Sequence, residues 1–194
     1  MSPSIQTVPA DTPAGSPTEA VRSASRVVVG VTLSAWTLGC LGLLWLLVGS
    51  GQVGPAGLWL KYSPVAAPAL LAGISCLLWI HGRSTGTALL MILLLTLALV
   101  ILFGIWEAGE STYYFLGGLL PFSDAQGYYS DALRLLHGWR FSEFSSRRPL
   151  FPAFLAALLA LTGRSLPLTL VLLATITVLA VGLAVREAQR HLGT

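Results

Sequence analysis

Charge is what this 194-residue sequence has least of: 10 % of its side chains are Asp, Glu, Lys or Arg, while 55 % are apolar. Soluble domains carry about 25 % charged residues, so one ordinary soluble domain is excluded. The scarcity is also patterned. No charged residue occurs from Val27 to Leu60, from Tyr62 to Gly82, from Ser84 to Trp106, or from Ser165 to Val185. Each gap is long enough to cross a hydrocarbon core of about 30 Å at about 1.5 Å per helical residue. The mean hydropathy of +0.78 agrees. These features specify an all-α, polytopic membrane protein.

Other scarcities narrow the function. The net charge is only +3 and no basic stripe exists, so nucleic acid is not an expected partner despite a pI near 9.2. Lysine is nearly absent, Lys61 being the sole one, and an arginine-dominated basic set points to GC-rich coding and a bacterial inner membrane. Cys40 and Cys76 both fall inside apolar runs and read as small core residues rather than a disulfide or metal pair. With no zinc spacing, phosphate-binding loop or dinucleotide fingerprint, no metal and no cofactor is expected.

Residues 1–26 are rich in Pro, Ser, Thr and Ala without apolar periodicity, and are expected to form a disordered cytoplasmic tail ahead of a membrane domain over 27–194. The run Val27–Val48 is too long for a signal-peptide core and predicts a first span, with Arg22 and Arg26 holding its start in the cytoplasm. A Gly/Pro-rich turn (GSGQVGPAG) follows, then the interfacial cluster Trp59, Lys61 and Tyr62. A second span is expected over about Pro64–Ile80, a tight HGRST turn, and a third span over about Thr87–Trp106.

The character changes after Trp106. Residues 107–148 hold Glu107, Glu110, Asp124, Asp131 and Glu143, and also Arg134, Arg140, Arg147 and Arg148. Long loops are usually functional or disordered, and the apolar content of this one argues for function. Its best-defined piece is SDAQGYYSDALRLLHG, Ser123–Gly138. Ser123 and Gln126 form an S-x-x-Q capping box, and Gly138 suits a helix stop. Tyr128, Ala132, Leu135 and Leu136 recur at helical spacing, with Asp131 and Arg134 on the polar side, so the helix should lie in the membrane interface. The apolar stretch Leu150–Thr162 is short for a span and reads as interfacial or re-entrant. Leu166–Val185 then returns the chain inside. Counting arginines favours four spans, both termini cytoplasmic, and an extracytoplasmic loop 107–165; five spans is the alternative.

The run S-D-A-Q-G-Y-Y-S-D-A-L-R-L-L-H-G, followed by R-R-P-L-F-P-A-F-L-A-A-L-L-A-L-T-G, resembles the first extracytoplasmic loop of GT-C-type glycosyltransferases that use polyprenyl-phosphate sugars. That class includes the dolichyl-phosphate-mannose–protein mannosyltransferases and the aminoarabinose transferases. Asp124, Tyr128, Ala132, Leu135 and Gly138 fall on the first half of its pattern; Pro149, Phe151, Pro152, Leu155 and Gly163 fall on the second. The likeness covers about residues 105–190. Ala125 stands where many members carry Glu, two extra spans precede the matching region, and members have many more spans. The resemblance therefore implies an N-terminal portion or a reduced relative.

The resemblance implies a membrane glycosyltransferase, or its N-terminal module, moving sugar from a polyprenyl-phosphate donor to an extracytoplasmic acceptor. It makes Asp124 the catalytic base; the plainer role for Asp124 is to complement a helix dipole. Arg147 and Arg148 could clamp a lipid phosphate, or simply snorkel at the interface. Tyr128 and Tyr129 could line an acceptor groove, although aromatics belong at an interface anyway. Expected partners are membrane lipid, the polyprenyl-linked sugar, and a second membrane polypeptide completing the fold. The competing function is a non-catalytic polytopic subunit that binds lipid or a partner.

Overall fold

The computed structural model describes residues 17–81 and 83–191. The described residues are all-α apart from one two-stranded hairpin. In chain order come α1 (Pro17–Gly49), α2 (Val53–Tyr62), α3 (Ala66–His81), α4 (Arg83–Ala108), β1 (Phe115–Leu116), β2 (Leu120–Pro121), α5 (Asp124–Leu136), α6 (Glu143–Ser146), α7 (Leu150–Leu161) and α8 (Leu166–His191). Three of these helices, over Ser25–Gly49, Ser84–Ala108 and Leu166–His191, are long and apolar enough to cross a membrane. The protein is a helical membrane protein.

Helix α4 is the hub. It packs against α1, α2, α3 and α8, and 28 % of its apolar window is buried, against none for α1 and 11 % for α8. Helix α8 lies antiparallel to it: Gly182 faces Met91, and one turn or more toward the α8 C-terminus the Thr87 hydroxyl meets Gln189 Oε1 at 3.3 Å. Helix α3 returns beside α4 as a tight hairpin, with Gly86 pressed to the backbone of Leu77 and Leu78. The start of α4, the end of α3 and the end of α8 therefore share one end of the bundle, and α1 ends beside Glu107 at the other.

Four sequence expectations change. Residues 17–26, expected to belong to a disordered tail, are the first turns of α1; residues 1–16 lie outside the described residues. The physical reason is local: Pro17 occupies the first helical position, where its missing N–H costs nothing, and good helix formers follow. Second, the expected turn over 49–57 is a turn only as far as Gln52, after which α2 begins. Gly51 takes a positive φ of 68° and closes α1, with its N–H and that of Gln52 bonded back to Val48 and Leu47 carbonyls.

Third, the expected second span is α3, and it is joined to α2 through a 91° bend instead of standing alone. Pro64 stands at this bend, where an X-Pro step disfavours helix in the preceding residue; Ser63 is accordingly extended, with ψ 122°. Fourth, the HGRST turn is shorter than expected, because α4 starts at Arg83.

Glycine makes the α2–α4 crossing possible. A Cβ on Gly57 would lie 2.5 Å from the Val100 carbonyl oxygen, and one on Gly104 would lie 2.7 Å from the Gly57 Cα. The two backbones touch, as small residues allow at helix contacts in membranes. Two acids fasten the crossing. Gly54 N–H, in the first turn of α2, donates to Glu107 Oε2 at 2.6 Å, so a carboxylate sits at the positive end of that helix. The Tyr62 hydroxyl donates to Glu110 Oε1 at 2.9 Å. Sequence spacing alone reads Glu107 and Glu110 as boundary residues; their second role needs α2.

Candidate functional site

Beyond α4 the chain builds a small layer at the end of the bundle where α1 and α4 terminate. The β1–β2 hairpin comes first, with Phe115 opposite Pro121 and Leu116 opposite Leu120. Its turn glycine Gly118, at φ 73°, lies against the Ile105 carbonyl, where a Cβ would approach to 2.9 Å. The hairpin thus rests on the last turn of α4 and delivers the chain to α5.

Helix α5 confirms the amphipathic pattern but uses it differently. Ala132 is buried with Leu155, Ala156 and Leu159 of α7, and Tyr128, Tyr129, Leu133 and Leu136 pack around them. The apolar face assigned to the membrane interface is therefore covered by α7, because a 12-residue helix without a charge offers it a drier partner than headgroups. The helix stop at Gly138 is as expected: φ is 76°, and the N–H groups of Gly138 and Trp139 donate to Leu135 and Arg134 carbonyls. The start is not. Ser123 has φ 55° and makes no side-chain capping bond, so the S-x-x-Q capping box does not form.

Asp131 is the largest departure. Expected on an exposed polar face beside Arg134, it is 1 % exposed. Its carboxylate accepts the Ser142 N–H at 2.9 Å and the Ser142 hydroxyl, and Arg134 Nε stands 3.6 Å away. Burial pushes its pKa up, but the hydrogen bonds from the Ser142 hydroxyl and N–H, with the Arg134 charge, outweigh that and hold it below the usual aspartate value. The carboxylate is thus an ionised peg that fixes the 139–146 segment, including α6, to α5. The Arg134 guanidinium Nε also donates to the Arg140 carbonyl at 3.1 Å and sits over Trp139, tightening the same segment.

With α6 pegged, an open groove of about 440 Å³ forms between α5 and the α6–α7 junction, lined by Tyr128, Glu143, Phe144, Arg147 and Arg148. Tyr128 stands between two rings, Phe144 and Phe151, each with its centroid 5.1 Å away. Gly127 leaves room for Phe144, whose ring would meet a Cβ there at 2.6 Å. Arg147 and Glu143 form an exposed i,i+4 pair at 3.9 Å, which contributes little in water. Arg148 is exposed and forms no ion pair among the described residues.

Three of the four sequence candidates, Tyr128, Arg147 and Arg148, thus share one groove. Asp124 does not line it; it is exposed in the first turn of α5. Sequence reasoning missed Glu143 and Phe144. The readable signal for Phe144 was weak, a glycine at 127 within a helix where alanine would be better. His137 is accounted for locally, its Nδ1 2.7 Å from the Leu133 carbonyl and its ring near Trp139. Among the described residues no group of three or more His, Cys, Asp or Glu side chains converges as a metal site would. Chemically, the groove offers two guanidiniums, one carboxylate and an aromatic floor, a set that can bind a phosphate.

No protein-family model, no curated protein and no solved structure matches the chain.

Proposed function

We propose that the chain is a membrane glycosyltransferase of GT-C type, or the N-terminal module of one, acting on a polyprenyl-phosphate-linked sugar at the extracytoplasmic face. The observation that carries this reading is the convergence of Tyr128, Arg147 and Arg148 on one groove beside apolar α7. A lipid-linked donor needs that pairing: cations for the phosphate that leaves, and an adjoining apolar surface for the chain. In this reading Arg148, free of an acidic partner in the described structure, takes the phosphate, and Tyr128 stacks on the sugar. Asp124 is the base that the resemblance implies; Glu143 is the carboxylate lining the groove.

The same reading assigns four crossings, by α1, α3 with its bent lead-in α2, α4 and α8, in the bacterial inner membrane with both termini cytoplasmic. It is supported by the arginines at one end of the bundle, Arg186 and Arg190 at the close of α8 and Arg83 at the start of α4. Helix α7, twelve residues and about 18 Å long, stays on the outer side.

A sugar-transfer assay in membranes holding the full chain tests the proposal. Asp124→Asn should lower transfer by about 10²–10⁴-fold if that carboxylate is the base, and Glu143→Gln should do so if the groove carboxylate is. Unchanged transfer in both variants, or no transfer by the wild-type chain, rejects catalysis by this site. One observation favours the second reading, a non-catalytic subunit: the groove excludes Asp124, and its Glu143 already faces Arg147. That reading expects retention of polyprenyl phosphate without turnover, weakened by Arg148→Gln.

A further inference from the structure

At the opposite end of the bundle from the groove, a second cavity of about 570 Å³ opens between the first turns of α4 and the last turns of α8. Its deeper wall is apolar, made by Ala88 and Met91 from α4 and by Leu179 and Leu183 from α8. Leu179 and Leu183 are exposed, so this wall faces the surroundings of the bundle. The floor of the cleft is a close approach of the two helices: a Cβ on Gly182 of α8 would run into the Met91 side chain.

The rim is polar and cationic. Arg186, Gln189 and Arg190 line it from α8, and Ser84 and Thr87 from α4. The charges differ in their commitments. Arg190 Nη1 is held by Glu187 at 3.0 Å, and Glu187 also faces His191 at 3.2 Å. Arg186 is exposed and forms no ion pair among the described residues. It is also the first charge after the apolar run of α8, which ends at Val185. In a bilayer that position falls where hydrocarbon gives way to headgroups.

We infer that this α4–α8 cleft binds an anionic phospholipid, with an acyl chain along Met91, Leu179 and Leu183 and the headgroup phosphate on Arg186. The fit is one of sign and depth together. A neutral acyl chain matches the apolar wall, and a guanidinium without an acid partner at the rim matches a phosphate through paired N–H donors. A zwitterionic lipid carries the same phosphate but brings a cation toward Arg186 and Arg190, so a net-anionic headgroup is preferred. The site is independent of the groove at the other end and of any transferase activity.

The test uses the full chain purified in a neutral detergent and titrated with phosphatidylglycerol or phosphatidylcholine, bound lipid being counted by native mass spectrometry. Phosphatidylglycerol should be retained in preference, and Arg186→Gln should weaken its retention about tenfold, the loss of one charge-assisted contact. Ala88→Phe, which fills the cleft while leaving Arg186 in place, should weaken it as well. Arg164→Gln, an exposed arginine outside the cleft, should leave retention unchanged. Equal retention of the two lipids, or an equal loss from Arg164→Gln, would overturn the assignment. An Arg186→Gln chain that keeps its helicity and elution volume but also keeps its lipid would overturn it too.

Discussion

Asp131 illustrates how much one side chain can organise when it is removed from water. A carboxylate at 1 % exposure persists as an anion because the Ser142 N–H and hydroxyl donate to it and Arg134 stands beside it. Asp131→Ala would strand the Ser142 N–H and hydroxyl, and should cost on the order of 3 kcal/mol, read as a lower thermal midpoint of the purified chain. Asp124→Ala, at an exposed position, should cost well under that. The pH dependence has a definite sign. Because the folded pKa lies below the unfolded one, the contribution of Asp131 is fully present above the ordinary aspartate value of about 3.9 and is lost as pH falls through the folded value. The difference in midpoint between wild type and Asp131→Asn should therefore be flat from neutral pH to about pH 5 and shrink below about pH 4. A difference that stayed constant down to acid conditions would show that the carboxylate charge is not what holds the segment.

Among the helices, α2 and α7 are the informative pair, since neither is long enough to cross a bilayer and both are placed by a neighbour. Helix α2 is seated by contact with α4 at Gly57 and Gly104, and by Glu107 on its N-terminal N–H. Gly104→Leu must push the helices apart, and should lower stability by on the order of 1–3 kcal/mol in a detergent melt. Gly39→Leu, on α1 where an added Cβ meets nothing within 4 Å, should leave the midpoint unchanged. Similar losses in both variants would mean that leucine harms these helices through something other than the crossing. Helix α7 is seated by α5: its Leu155, Ala156 and Leu159 receive the apolar face of that helix, and Thr162 ties its end to α8 through the Thr169 hydroxyl at 2.7 Å.

For the molecule as a whole, the arrangement separates two ends. One holds the groove, the β-hairpin and the acids Glu107 and Glu110; the other holds the close of α8 and the start of α4 with their arginines. The topology proposed above is directly measurable. In a background with Cys40 and Cys76 replaced by alanine, an impermeant thiol reagent added outside cells should modify a cysteine introduced at Ser146 and not one introduced at Ala188, both exposed positions. Ser145 would be a poor probe, since it is fully buried beside Asp131. Modification of the Ala188 variant from outside would mean that α7 crosses and that the chain has five spans.

The membrane class, the three long apolar helices and the extent of α5 were legible in the residues, because charge-free runs, helical spacing and a stop glycine are properties of neighbouring positions. The grouping of Arg147 and Arg148 with Tyr128 was half legible, through a resemblance in spacing. The rest lay in contacts between distant positions. Nothing adjacent to Asp131 announces that Ser142, eleven residues on, will supply both of its donors, and so a residue read as surface charge became a buried peg. Gly54, Pro55 and Gly57 read locally as a turn; α2 packs where it does because Gly104, far along the chain, has no side chain to keep it out and Glu107 completes its first turn. Local pattern reports which segments can become helices and which faces are apolar. Which face meets which partner depends on close packing and on where buried polar groups find their bonds, and those are settled only when the segments come together.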